Sequence, residues 1–511
     1  MNALQRFAAR ILGLAPISQR QYNAAKKVSA NTNLHAGVRQ RQTQDQVLAR
    51  DGAMLTAIAR KLVRNNLAAS SAVDHLARKS VQHGIRPQVR TRNERLNKDI
   101  EKAFRRWSKK VNLRKNLSWA RLQALWLREI VTAGEAFSHS IILQDGFYIE
   151  AFEPEQLSSG LFETIGSTGK GETVSRGIRY DDLGRPVSYY VEKNLPGLEG
   201  SLAPFDYDEI AADRVQHIYQ ITRPSAWRGA SHFDSPAIPL DDVDSARYHT
   251  LKSIEMAARY GIHVQLPEDV DPLNEMDGLG AKLNEDNELE YNMANGSVNM
   301  MQGAASMLAS PHPGPQFTPF VDSVLMAVAA RMGVPAHAVT GDVSKANYSS
   351  LRAAFQEARN TYHEMQDLLI EMGCEPVFEL WLRNAVKTGE VLLTENVGIM
   401  EVMDSLEWQR PGFPYVDPLK EGQADDLAIA RGTKTFDQVC AEQGLDGREQ
   451  RERIKQAQAL DEEIGVKTPT VGSVESVTTE EPAEDDDQQS PEVNTEGAEA
   501  RATTTIRWKD Q

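Results

Sequence analysis

The residues that could do chemistry in this chain are few and badly spaced for it. The segment TIGSTGKGE (164–172) has the glycines and the lysine of a phosphate-cradling loop. Yet Thr164 stands where the first glycine is needed, and Gly171 stands where a hydroxyl would hold Mg²⁺. Gly278 and Gly280 in GLGAKL lack a third glycine and a preceding buried strand, so no dinucleotide turn is formed. His363-Glu364 has no second histidine four residues on, as a helical zinc site of that kind requires. Asp485, Asp486 and Asp487 read as a solvated acidic run rather than a cation site. Cys374 and Cys440 are the only cysteines, which excludes a disulfide scaffold and suits a reducing compartment. No catalytic residue, metal or cofactor is expected. A nuclease gripping DNA through a basic lobe would need carboxylates clustered around a metal, and the folded part offers no such set.

The charge is unevenly spread. The 511 residues carry 57 Lys+Arg against 72 Asp+Glu, a net of −15. Residues 1–130 hold 27 basic and 7 acidic side chains, a net of +20, so the other 381 carry −35. A basic lobe meeting nucleic acid or an acidic protein, on a body that repels both, is one reading; plainly solvated helical faces are the other. No zinc-finger spacing or aromatic-interleaved basic sheet is present, so sequence-specific readout is not expected. No run of about 18 apolar residues exists, so no helix is expected to cross a membrane. The short amphipathic N-terminus does not read as a secretory signal.

The elements that must position any site are mainly helical. Leu55, Ile58 and Leu62 share a face, and a second helix runs from about Ala68 to a stop at Gly84. Leu96, Ile100, Ala103, Phe104 and Trp107 form another stripe. Ser118 caps a helix carrying Trp119, Leu122, Trp126 and Ile130 that ends at Gly134. A β-rich block follows: AFSHSIIL and FYIEAF as a hairpin turning at Asp145-Gly146, then GIRYDDLGRPVSYYVEK and VQHIY. Helix returns over 240–263, with Val243, Tyr248, Leu251, Ile254 and Ala258 available to one side. A Gly/Asn/Pro-rich stretch to Phe320 suggests short strands. Thr318 and Pro319 then open a helix that Gly333 and Pro335 close. Leu351, Phe355, Ala358, Tyr362, Met365, Leu369 and Met372 alternate by 4 and 3, a heptad seam suited to another helix in the same subunit or a neighbour. Gly373 and Pro376 are expected to stop it before a short helix with Phe378, Trp381 and Leu382. From Lys467 the apolar pattern is lost. Ten acidic residues lie between Glu475 and Glu499, and a disordered tail is expected.

One segment, RMGVPAHAVTGDVSKANYSSLRAAFQEARNTYHEMQDLLIEMGCEPVFELWLRNAVKTGEV, resembles the lambda-type portal proteins of tailed bacteriophages. Its centre is Gly333-Val334-Pro335, Asp342, then Asn347-Tyr348-Ser349-Ser350 leading into Arg352-Ala353-Ala354. The likeness is collinear from about Tyr22 to Gln456. It takes in Arg64-Asn65-Asn66 and Gly84, then Arg223-Pro224 and Arg228-Gly229, then Trp408 with YVDPLKEGQADDLAIARGTKT. Ser225-Ala226-Trp227 is bulkier than the family's usual segment, and the resemblance assigns no role to the acidic tail after Lys467.

The resemblance implies an α+β, mainly α subunit with a helical and β wing, a helical stem, a small clip and a C-terminal crown, assembled as a ring, typically of twelve copies. Mapped onto the chain, this makes 1–24 an N-terminal arm, 25–232 the wing, 233–262 a stem helix and 263–318 the clip. The second stem helix is 319–332 and the tunnel loop 333–350. The long wing helix and its successor cover 351–400, the crown 401–466 and the disordered acidic tail 467–511. It further implies a conduit at one capsid vertex for double-stranded DNA bound without sequence specificity. Implied partners are other copies of itself, major capsid and scaffold proteins, the terminase large subunit and a head–tail adaptor. The expected location is the virion, with assembly in the host cytoplasm; another head–tail component is the structural alternative. Lys345, Asn347, Tyr348 and Arg352 are the candidate channel contacts, although the loop could be an ordinary connection with Asn347 as a cap and Arg352 an exposed first-turn residue. Leu351, Phe355, Tyr362, Met365 and Leu369 are the candidate oligomer or helix seam. The mostly acidic body agrees with a conduit, because neutralised phosphates would stall a passing duplex.

Overall fold

The computed structural model describes residues 43–157, 173–193, 207–259, 263–266, 282–283, 289–290, 299–302, 316–344, 348–394, 397–415 and 417–465. The chain divides into two compact units, Met1–Gln450 and Arg451–Gln511. The acidic tail and the segments 164–172 and 278–280 lie outside the described residues.

The first unit begins with four helices: α1 (Gln44–Asn65), α2 (Leu67–Val81), α3 (Glu94–Trp107) and α4 (Trp119–Ala133). Thr43 and Gln46 make a reciprocal capping box at α1, and Asn66 accepts the Ala69 N–H at α2. Ser118 precedes α4 as expected, though its hydroxyl makes no capping bond. Gly84 adopts φ +93, and a Cβ there would stand 2.8 Å from that of Ala120, so both conformation and space require glycine.

The β block forms two sheets. In the first, β2 (Glu135–Leu143) lies between β3 (Gly146–Phe152) and β8 (Val215–Tyr219), all antiparallel. Leu143 pairs with Gly146, so the two-residue loop is Gln144-Asp145 and Gly146 opens the next strand, one residue from the expected turn. The second sheet runs β4 (Thr173–Ser175), β5 (Ile178–Tyr180), β6 (Pro186–Glu192), β7 (Tyr207–Ala211). A short strand absent from the periodicity, β1 (Arg86–Val89), pairs with the distant β13 (Leu406–Gln409) and sets Pro87 against Trp408.

Helix α5 (Ala237–Arg259) starts earlier than its pattern suggests. The described fragments beyond it are β9 (His263–Leu266), β10 (Lys282–Leu283), β11 (Leu289–Glu290) and β12 (Asn299–Gln302). Helix α6 (Phe317–Met332) begins at Phe317, so Thr318 and Pro319 sit inside its first turn, where the missing proline N–H has no intrahelical partner to lose. Helix α7 (Ala336–Thr340) then leads to α8 (Tyr348–Leu369).

Gly373 and Pro376 do not end the long helix. Residues Ile370–Cys374 form a π turn that runs directly into α9 (Glu375–Lys387). The wider turn shifts the hydrogen-bond register where Pro376 has no N–H to donate. Gly373 serves packing: a Cβ there would lie 2.7 Å from Ile218 Cδ1 and 3.0 Å from Trp126 Cζ3. Helix α10 (Ile399–Asp404), β13, α11 (Pro418–Ala430), α12 (Phe436–Glu442) and α13 (Gly447–Ile464) complete the described chain.

The main core lies where α2, α4, α8 and α9 meet the first sheet. Phe104 stands edge-on to Trp119 and Trp381, with centroids 5.8 and 5.0 Å apart, and tilted to Phe378. The tryptophans singled out by spacing are therefore core.

Candidate functional site

The connection from α6 to α8 carries the segment on which a channel role was placed. Gly333 ends α6 at φ +65, and a Cβ there would stand 2.5 Å from Thr361 Cγ2, so this turn presses directly on α8. Val334 and Val339 are buried and anchor the start of the loop. Beyond Gly341 it is held by its own polar groups: the Asp342 N–H donates to Thr340 Oγ1 at 3.2 Å, and the Ser344 N–H to Asp342 Oδ1 at 2.8 Å.

Lys345 and Asn347 lie outside the described residues; Tyr348 opens α8, and its side chain is likewise outside them. Arg352 is described. Its Nη2 stands 3.7 Å from Glu421 Oε1 of α11, at the edge of a cleft of about 990 Å³ between α8, β13 and the α11–α12 region. Of the four candidate channel residues, then, the one described side chain faces an acidic partner in its own chain.

The heptad seam divides into two halves. Tyr362, Met365 and Leu369 are buried against the chain's own core, whereas Leu351 and Phe355 nearer the loop are half-buried. His75 Nε2 lies 3.0 Å from the Tyr362 hydroxyl, and buried Gln366 donates to the Ser80 carbonyl at 2.8 Å. Both contacts tie α8 to α2. Burial, then the positive Lys79 and the neighbouring His337, push His75 down to about 4.

A buried ionic cluster holds the β block to the loop at 223–231. Arg228 donates to Glu135 through Nε (2.9 and 2.7 Å) and Nη2 (2.5 Å), and through Nη1 to the Arg176 carbonyl at 2.8 Å. His217 Nε2 lies 3.0 Å from Glu135 Oε2, and the Gly229 N–H also points there at 3.3 Å. Burial alone would raise the Glu135 pKa; the Arg228 charge and the His217 bond outweigh it and hold the carboxyl well below its usual range. A Cβ on Gly229 would fall 1.9 Å from the Gly134 carbonyl oxygen, so the glycine after Arg228 is what lets the two backbones touch. The family resemblance singled out Arg228-Gly229, but neither it nor the spacing pointed to Glu135 and His217; the available signal was an acid directly after a helix-ending glycine. Trp227, the bulky departure, places its ring 4.4 Å from that of Tyr180, and its backbone N–H donates to Asp45 at 3.1 Å.

Several apolar side chains are exposed among the described residues. Tyr248, Leu251 and Ile254 on α5, available by spacing to one side with Val243, are 57%, 63% and 45% exposed, whereas Val243 is buried. Phe320 and Met326 on α6, which packs on α5, are also exposed, as are Leu419 and Leu427 on α11. Helix α11 has no buried residue at all. Among the described residues no three His, Cys, Asp or Glu side chains come together to hold a metal, and no helix is long and apolar enough to cross a membrane.

Residues 31–366 match the family model for "Phage portal protein, lambda family". The chain is 24% identical over 403 residues to the probable portal protein of Halomonas phage phiHAP-1, covering 76% of each chain. It is 23% identical over 430 residues to portal protein B of Escherichia phage lambda, covering 76% of this chain and 80% of that one. Among solved structures, it aligns with a chain from the virion of a native gene transfer agent particle at a TM-score of 0.43 and 16% identity, covering 76% of this chain and 93% of that one. With a chain from the neck of the native particle, computed with C12 symmetry, the TM-score is 0.40 at 13% identity and the same coverage.

Proposed function

The chain belongs to the lambda family of phage portal proteins, and from that premise we propose that its copies close into a ring around a channel for double-stranded DNA. As a portal protein it is a structural component of the virion. The family match over 31–366 carries the reading. The uncovered apolar side chains of α5, α6 and α11 support its assembly part, because exposed helices of this length gain most of their stability from a packed apolar face. A ring of identical head-to-tail contacts closes only when the rotation per copy divides a full turn, so copy number is a matter of geometry.

In this reading 25–232 is the wing, α5 and α6 are the stem helices, 263–318 is the clip, and 401–466 is the crown. The connection 333–350 approaches the channel, where Lys345, Asn347 and Tyr348 give sparse contacts that position a passing backbone without reading it. Terminase and then head–tail adaptor proteins dock on the ring, and the energy for packaging comes from the motor.

Images of the purified protein test the ring directly. Cyclic rings of a dozen or so subunits are expected, and a protein that stays monomeric under every condition, including beside its shell proteins, overturns the proposal. Lys345→Ala is expected to change packaging or DNA retention more than ring formation; the reverse result removes that residue from the channel.

A further inference from the structure

Between Arg86 and Arg121 the chain has thirteen basic and three acidic residues. Helix α3 sorts them by face. Leu96, Ile100, Ala103 and Phe104 are buried, while Arg95, Lys98, Lys102, Arg105 and Arg106 are all exposed. Those five recur at i, i+3, i+7, i+10 and i+11, which at 100° per residue is an arc of about 100° on the side away from the core. Of the three acids, Glu101 is turned inward, accepting the Val89 N–H at 3.0 Å, whereas exposed Glu94 and Asp99 flank the stripe one turn from Lys98, Arg95 and Lys102 and offset it only in part. Arg106 has an exposed partner in Glu390 at 3.4 Å, a pairing of little energetic weight. The loop after α3 continues the charge with exposed Lys109, Lys110, Arg114 and Lys115.

We infer that the outer face of α3 and the loop that follows it form a DNA-contacting surface, separate in the chain from the 333–350 connection, which binds the phosphate backbone of duplex DNA independently of sequence. The stripe spans about 16 Å along the helix, a length over which a duplex presents roughly ten phosphates. A polyphosphate fits better than an acidic protein for a stated reason. Protein partners are held by apolar and aromatic anchors at the centre of an interface, and Leu113 is the one large apolar side chain exposed between Arg86 and Arg121. What remains is charge on a rigid helix, which gives counterion-release affinity and no base readout. The inference rests on the portal reading only in that duplex DNA is the polyanion at hand.

The test is binding of the full-length protein to short duplexes of unrelated sequence, followed by fluorescence anisotropy across a salt series. In the combined variant Arg95→Gln, Lys98→Gln, Lys102→Gln, Arg105→Gln, the slope of log affinity against log salt is expected to fall by about 3 to 4, equally for every duplex. The variant Lys109→Gln, Lys110→Gln, Arg114→Gln, Lys115→Gln reports on the same surface if the first fails to fold. An unchanged slope in the folded variants overturns the inference. So does polyglutamate displacing DNA as effectively per charge, which would make the surface a dock for acidic protein. Images of the same preparations report ring formation separately, so failure here leaves the ring proposal standing or falling by itself.

Discussion

Helices α5 and α8 are of nearly equal length, and both carry apolar residues at helical spacing, yet the chain treats them differently. On α8, Tyr362, Met365 and Leu369 disappear into a core built with α2, α4 and α9. On α5, Leu240 and Val243 are buried, but Tyr248, Leu251 and Ile254 face outward. Amphipathic spacing records that a face needs cover. It does not record whether the cover comes from the same chain or from another copy, because burial by either has the same free-energy sign.

The strongest way to break this contrast is Leu369→Asp. That position is 0% exposed, and an unpaired buried carboxylate is expected to cost more than about 4 kcal/mol and abolish folding. Soluble rings of unchanged size would refute the assignment of that face to the core. Next in size is Glu135→Gln, which leaves Arg228 buried without its counter-charge and is expected to cost about 3 to 5 kcal/mol in urea unfolding. An unchanged midpoint would mean that the cluster contributes nothing to stability.

Gly333→Ala sharpens the comparison at the turn between α6 and α8. The added methyl group meets Thr361 at a positive φ, and a loss of about 1 to 3 kcal/mol is expected, read as a lowered melting temperature. Leu251→Ser on the uncovered face should behave in the opposite way. Monomer stability should change by no more than about 0.5 kcal/mol, while ring yield falls; a destabilised monomer with intact rings would reverse the reading of α5.

Acid stability provides a milder check. His75 and His232 are both pushed down to about 4, mainly by burial. Between that value and the ordinary 6.5 the unfolded chain binds protons that the folded chain does not, so stability should fall as pH drops from 6.5 towards 4. A flat melting profile over that window would show that these rings are more hydrated than their packing implies. Smallest of all, truncation after Val471 is expected to leave ring formation unchanged, measured by particle images.

Much of this organisation was legible in the residues. The stripes of α1, α3, α4 and α9, the strand VQHIY and the glycine stops at Gly134 and Gly333 all rest on local period and local φ, which the chain specifies residue by residue; α2 ends earlier than expected, at Val81, with Gln82 rather than Gly84 as its cap. The family, too, was legible: the resemblance noted around Gly333-Val334-Pro335 and Asn347-Tyr348-Ser349-Ser350 lies within residues 31–366 that match the family model.

What local pattern could not supply is the outcome of packing. Gly373 and Pro376 read as a helix stop by their ordinary propensities, but the chain passes through them as a π turn, and Gly373 lies so close to Trp126 and Ile218 that no Cβ would fit. The strand at Arg86–Val89 is too short to announce itself; it exists because β13, more than three hundred residues later, offers it a ladder. Glu135 and His217 lie 82 residues apart and became partners only when β2 and β8 came to lie side by side. The sequence by itself determined period, turn and charge, since these depend on neighbours along the chain. The tertiary structure decided which glycine packs rather than turns and which acid meets which base, because those depend on neighbours in space.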